Sequence, residues 1–276
     1  MLHVDHWPAL ERPALIVALT GWVDAGAAGS GAISALRDRV LEAGGEEFGR
    51  IDLADAMDLQ QTRPVARWAT PEDRVIDWPE IVLSAGRLGR DVVIASGPEP
   101  SLRWAEVSGI FVDLARRLGV VEAFTLAGMP AIASHRRPIA VLASAAQRSF
   151  AQELGPLRSD YGGPTGLQTV IQRALGEAGL RAAGLWAQVP QYVAGSPSPP
   201  AVQALLSRLA EVARLDVDLR EYDRRGADYI ERVDAGLASR PDVAEVVERI
   251  DRARAAEDDD LVSEIEQFLR AQGDEG

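Results

Sequence analysis

Ala14-Leu15-Ile16-Val17-Ala18-Leu19 is an unbroken apolar run between Pro13 and Gly21, and its reading decides the rest of the chain. A strand apolar at every position has no polar face to offer water, so it must be covered on both sides. The turn Thr20-Gly21-Trp22-Val23-Asp24-Ala25-Gly26 leads into a helical pattern with Ala32, Ile33, Leu36, Val40 and Leu41 on one face, closed by Gly44-Gly45. Strand, turn and helix in direct succession open a parallel α/β layer fold.

The same unit recurs on moving outward. Residues 91–96 (Asp-Val-Val-Ile-Ala-Ser) make a second central run, ended by Gly97-Pro98-Glu99-Pro100. Ser101 then reads as the N-cap of a helix carrying Val107, Ile110, Phe111, Leu114 and Leu118 up to Gly119. Residues 121–127, closed by Gly128-Met129-Pro130, are a third central strand and 139–143 a fourth. An amphipathic helix over 165–176 precedes a fifth at 183–189. Residues 47–53 and 62–68 are expected to be extended, and 74–78 and 81–85 to form a hairpin-like pair across Pro79-Glu80. Right-handed crossovers then place helices on both faces of a mostly parallel sheet, a three-layer α/β/α core over residues 1–195.

Gly195-Ser196-Pro197-Ser198-Pro199-Pro200 is a stiff connector, and the patterns beyond it are helical, giving a C-terminal helical extension over 196–276. Its apolar stripes run through Leu205 and Leu209, through Tyr222 and Tyr229, through Val243 and Val247, and through Leu261, Ile265, Phe268 and Leu269. Residues 199–276 hold 11 arginines and 20 acids, which accounts for nine of the chain's 13 net negative charges. These helices must bury narrow stripes and turn acidic faces to water. Asp258-Asp259-Asp260 reads as a loop or a cap for the last helix, since its spacing does not match an alternate-ligand calcium loop, and 272–276 as a frayed tail.

Composition excludes several chemistries. The 276 residues, 47% of them hydrophobic, suffice for one large domain or one domain with an appendage. A net charge of -13 repels phosphate backbones and anionic lipid, so neither nucleic acid nor membrane is expected as a partner. No apolar run approaches the roughly 18 residues of a spanning helix, and the N-terminus lacks a signal-peptide layout; a cytoplasmic protein is expected. There is no cysteine, and all 29 basic residues are arginine. Thiol catalysis, iron-sulfur ligation, Schiff bases and lysine-bearing phosphate loops are therefore excluded.

Local motifs are read with their plainer alternatives. Gly21, Gly26, Gly29 and Gly31 before a helix form either an anion-binding turn or a close-packing one, and Asp24 would repel a phosphate there. His3, Asp5 and His6 stand on a terminal arm that is a poor scaffold, so no metal is expected. His135-Arg136-Arg137 reads as an anion site or a solvated loop, and no serine sits in a Gly-x-Ser-x-Gly elbow. The candidate pocket gathers Gly21, Trp22, Asp24, Arg63, Glu99, Arg103, Tyr161, Pro164 and Thr165, because ligands of open α/β sheets bind at the carboxyl ends of the strands. The competing reading is structural: Asp24 or Glu99 ion-paired with Arg103 or Arg63 to hold the loops.

Five blocks occur in order: Gly21-Trp22-Val23-Asp24-Ala25-Gly26; Thr62-Arg63-Pro64; residues 97–104 from Gly97 to Trp104; Gly163-Pro164-Thr165-Gly166; and residues 185–193 from Leu185 to Val193. Together they resemble the proteasome assembly chaperone 2 family, particularly its actinobacterial members. The resemblance implies a phosphorylase-like α/β/α core with a C-terminal helical extension, self-association as a homo-oligomer such as a trimer, no cofactor, and a non-catalytic chaperone or adaptor role whose partners include proteasome subunits. The rival is a small-molecule binder or enzyme of phosphorylase- or hydrolase-like fold, taking a nucleoside or phosphate-type ligand. The sequence ends Gly273-Asp274-Glu275-Gly276 and not in the hydrophobic-Tyr-x tail by which some members dock, and it departs from common family residues at Val23, Gly162 and Gln191.

Overall fold

The structure, a computed structural model, describes residues 1–155 and 161–256. Strand β1 (Leu2–Val4) is followed by β2 (Ala14–Thr20), which is the apolar run, and by helix α1 (Ala28–Glu42). Next come β3 (Glu46–Asp52), β4 (Val65–Trp68), β5 (Arg74–Asp77), β6 (Glu80–Leu88), β7 (Arg90–Pro98) and α2 (Trp104–Leu118). The chain continues through β8 (Glu122–Ala131), β9 (Val141–Ala145), α3 (Arg148–Glu153), α4 (Leu167–Glu177), β10 (Arg181–Pro190), α5 (Pro199–Ala213) and α6 (Arg220–Leu237). A last described helix, α7, covers 241–256.

Eight strands form one sheet in the order β1-β3-β6-β7-β2-β8-β10-β9. Its centre, β7, β2, β8 and β10, is parallel, whereas β6, β3 and β1 are added antiparallel on one flank and β9 on the other. Residues 14–19 are at most 1% exposed because alternate side chains enter opposite layers. Ile16 and Ala18 join the core beneath α1 and α5; Leu15, Val17 and Leu19 join the core beneath α2 and α4. The three-layer α/β/α reading holds.

Several local expectations are corrected. Residues 74–77 pair with β4, from Val65↔Asp77 to Trp68↔Arg74, and not with 81–85; β6 pairs with β3 and β7. Pro79 separates β5 from β6 without a tight turn between them, so the hairpin forms one step earlier. Ser101 does not cap α2. Its Oγ accepts from the Asp58 amide at 3.1 Å, and the helix begins after Arg103 in a left-handed conformation (φ 60°). The stop at Gly119 (φ 66°) is as read, with the Val120 amide reaching back to the Ala115 carbonyl at 2.9 Å.

Beyond the proline-rich stretch, α5 packs on α1 and β10, with Leu205, Leu206 and Leu209 fully buried in the sheet's core. Helix α6 lies on α5, burying Tyr222 and Tyr229, and α7 buries Val247. The expected fourth stripe, the Asp258-Asp259-Asp260 cap and the 272–276 tail fall outside the described residues.

Candidate functional site

The crevice opens where the central strands part. β2 follows β7 from Ala14↔Val92 to Thr20↔Pro98, but follows β8 only as far as Val17↔Thr125. Past that point the Leu19 amide is met by Oε1 of Gln168, from α4, at 3.3 Å. The chain leaving β2 folds into the gap, where the Gly128 amide donates to the Val23 carbonyl at 3.0 Å. Position 128 tolerates no side chain, since a Cβ there would stand 2.2 Å from the Ala25 carbonyl oxygen.

Asp24 does not face this opening as a free acid. Its Oδ1 accepts from the backbone N–H groups of Gly29 (2.9 Å) and Ser30 (3.1 Å) in the first turn of α1. Those donors have no partner within the helix, and negative charge suits the positive end of its dipole. Burial pushes the carboxyl above its ordinary value, against the lowering effect of its hydrogen bonds to Ser30 and Gly29.

Glu99 plays the same part on the other face of the sheet. Its amide donates to the Thr20 carbonyl (2.8 Å), tying the end of β7 to the end of β2. Its Oε1 accepts from the Leu167 amide (2.5 Å) at the start of α4. A Cβ at Gly166 would come 2.7 Å from that oxygen, and one at Gly21 would come 3.1 Å from the Glu99 Cβ. Glycine at both positions lets the carboxylate seat.

Beside these caps lies a cavity of about 700 Å³. Trp22, Val23, Gly128, Met129, Pro130, Tyr161, Gly162, Gly163, Pro164, Thr165 and Trp186 line it, with Ser144 and Thr169 as further polar walls. Tyr161 donates its hydroxyl to the Pro164 carbonyl at 3.0 Å, folding its ring over Gly163. Four of the sequence-predicted residues (Trp22, Tyr161, Pro164, Thr165) therefore share one cavity, and Gly21, Asp24 and Glu99 build its supports.

Arg63 and Arg103 are not brought in. Arg103 pairs with Glu106 at 2.7 Å and faces Asp55 at 3.9 Å, while Arg63 is exposed and pairs with no described acid. The expected ion-paired network with Asp24 or Glu99 is replaced by carboxylate-to-amide caps. Sequence reasoning left Met129, Ser144, Thr169 and Trp186 out of the site; Trp186 falls in the last of the five sequence blocks, which was the available signal. Among the described residues no cluster of three His, Cys, Asp or Glu side chains is placed to share a metal. No described helix is long and apolar enough to cross a membrane.

His135 is neither a solvated loop residue nor an anion ligand. Its side chain is fully buried, with Nδ1 2.7 Å from the Tyr192 hydroxyl and Nε2 3.1 Å from Asp234 Oδ1 on α6. The His135 amide donates to the same tyrosine oxygen (2.9 Å), and because the Asp234 carboxylate can only accept, a ring proton sits on Nε2 facing it. Arg136 binds Asp234 at 2.6 Å and reaches Asp251 of α7 at 3.5 Å. This loop therefore fastens the C-terminal helices to the sheet.

The sequence profile of the PAC2 family matches residues 18–235, a span that includes both caps and every described wall of the cavity. The chain belongs to the PAC2 family. This PAC2 family member is similar to a PAC2 family protein from Streptomyces avermitilis, with 36% identity and a TM-score of 0.78 over 85% of this chain and 99% of that one. It is similar to a proteasome-assembly chaperone homologue from Mycobacterium tuberculosis, with 31% identity and a TM-score of 0.76 over 85% and 99%. A Mycobacterium tuberculosis protein of unknown function shares 26% identity and a TM-score of 0.82 over 94% and 92%. Among curated proteins none matches.

Proposed function

We propose that this PAC2 family member is a non-catalytic, self-associating chaperone or adaptor, cytoplasmic and proteasome-related, that meets other polypeptides with its strand-end face. One observation carries the reading. Nine large apolar side chains are exposed among the described residues; seven of them (Trp22, Val65, Trp68, Ile76, Trp78, Leu102 and Ile132) stand on segments that leave the sheet at the carboxyl ends of the parallel strands, and an eighth, Tyr161, joins Trp22 in the cavity wall at the same end. Only Trp7 lies elsewhere. Apolar surface gathered at one end of a molecule marks an interaction face.

The acids that enzyme chemistry would draw on are committed to helix caps, which supports a role without turnover. Similarity to the mycobacterial proteasome-assembly chaperone homologue supports the proteasome-related part.

The test is light scattering coupled to size exclusion, with purified proteasome core subunits added in a second run. The expected result is a multiple of the 29.6 kDa chain mass, a trimer in the first instance, and a larger species with the subunits. Trp68→Ser with Trp78→Ser should lower the mass with little change in melting temperature. A wild-type monomer indifferent to proteasome subunits would sink the proposal.

A further inference from the structure

The cavity at the strand ends shares Trp22 and Tyr161 with the proposed interaction face and has the lining of a small-molecule pocket. Its described walls are dominated by Trp22, Met129, Pro130, Tyr161, Pro164 and Trp186, and among the described residues that line it none is a cation or a carboxylate. At about 700 Å³ it falls in the size range of small-molecule pockets. The indole N–H of the half-buried Trp186 has no hydrogen-bond partner among the described residues. At its foot is Gly184, where an added Cβ would stand 2.8 Å from Trp186 Nε1, 2.9 Å from Gln172 Oε1 and 3.1 Å from Ser144 Oγ. Gln172 and Ser144 are bonded to one another, Ser144 Oγ donating to Gln172 Oε1 (3.2 Å) and Gln172 Nε2 to the Ser144 carbonyl (3.1 Å), and neither accepts from the indole.

From this we infer that the cavity binds a neutral, mainly aromatic or aliphatic small molecule carrying one hydrogen-bond acceptor, which receives the Trp186 N–H. A phosphate or carboxylate entering the same walls would lose hydration and find no cation among the described lining residues to replace it. An uncharged acceptor such as an amide or ketone gives up far less. The walls bury the ring, and the indole fixes which way it lies.

The probes are 2-naphthamide and its charged isostere 2-naphthoate, titrated into the full-length ¹⁵N-labelled protein while the indole N–H resonances of its six tryptophans are followed. 2-Naphthamide should shift Trp22 and Trp186 saturably, and 2-naphthoate should bind at least about tenfold more weakly because its charge stays unpaired. Trp186→Phe, which keeps a ring and removes the donor, should weaken 2-naphthamide about fivefold. Thr169→Trp, which fills the cavity from α4, should abolish the saturable shift of Trp22 at an unchanged melting temperature. Should that variant fail to fold, Trp22→Ala on the exposed lip serves in its place and should weaken binding. Absence of any saturable shift, equal affinity for the two probes, or unaltered binding in the variants would overturn the inference.

Discussion

Oε1 of Glu99 lies 2.5 Å from the backbone nitrogen of Leu167, so the turn after β7 holds the first residue of a helix 68 positions further along the chain. Glu99→Ala leaves that amide without its acceptor and should cost about 1–2 kcal/mol, which corresponds to a fall of roughly 2–8 °C in a chain of this size. Glu99→Gln keeps an oxygen in place and should retain most of the stability. Thermal melting checks this, and equal melting of the alanine variant and the wild type would contradict it.

Asp24 gives a pH dependence of unusual sign. Burial raises its folded pKa above the ordinary value, so the folded chain holds that proton more tightly than the unfolded chain does. Its contribution is greatest below the unfolded pKa and declines as pH rises from there through the folded value. Asp24→Asn keeps the capping oxygen and removes the charge. Between about pH 4 and pH 7 its stability relative to wild type should therefore grow. Denaturant unfolding across that range is the measurement, and a flat or opposite trend would refute the assignment.

The His135 anchor predicts a local effect. Burial acts to raise the Asp234 carboxyl, but the hydrogen bonds from Arg136 and His135 outweigh it and hold the group below its ordinary value. That contribution is present above the unfolded pKa and fades as pH falls through the folded one. Asp234→Ala leaves the buried Nε2–H unpaired and should cost about 1–2 kcal/mol, toward the low end because Asp234 is itself partly open to solvent. Hydrogen exchange should quicken in α6 and α7 while the central strands keep their protection. Uniform quickening, or none, would count against the anchor.

A chain cut after residue 195 should not fold. It lacks α5, whose Leu205, Leu206 and Leu209 are fully buried against the sheet. Burying three leucines is worth on the order of 5–9 kcal/mol, comparable to the whole stability of an ordinary domain. Circular dichroism of the 1–195 fragment should show no sharp melting transition, and a cooperative transition near the full-length temperature would show that the first 195 residues stand alone.

Ala14 to Leu19 announced the layered sheet because two-sided burial leaves no polar residue in the run, and that pattern is local. The strand-end crevice was legible for the same reason: it follows from the layers. The purpose of its acids was not. Asp24 and Glu99 sit where catalytic carboxylates would sit, and only their distances to the Ser30 and Leu167 amides reveal them as caps. Ser101 has the residue type of a cap, yet its oxygen was taken by Asp58, a partner 43 positions away. His135 beside two arginines looked solvated because the acid that receives it is 99 positions distant. The stripe of α5 was visible in sequence, but a stripe does not say which surface it will cover.

The two carboxylate clamps have a mechanical corollary. One fastens α1 on one side of the sheet and the other fastens α4 on the opposite side, and both are rooted in adjoining turns joined by the Glu99-to-Thr20 bond. A body that levers those turns apart pulls on both outer layers at once. The rim where an outsider would land is thus also the place from which the whole sandwich is most easily loosened or braced.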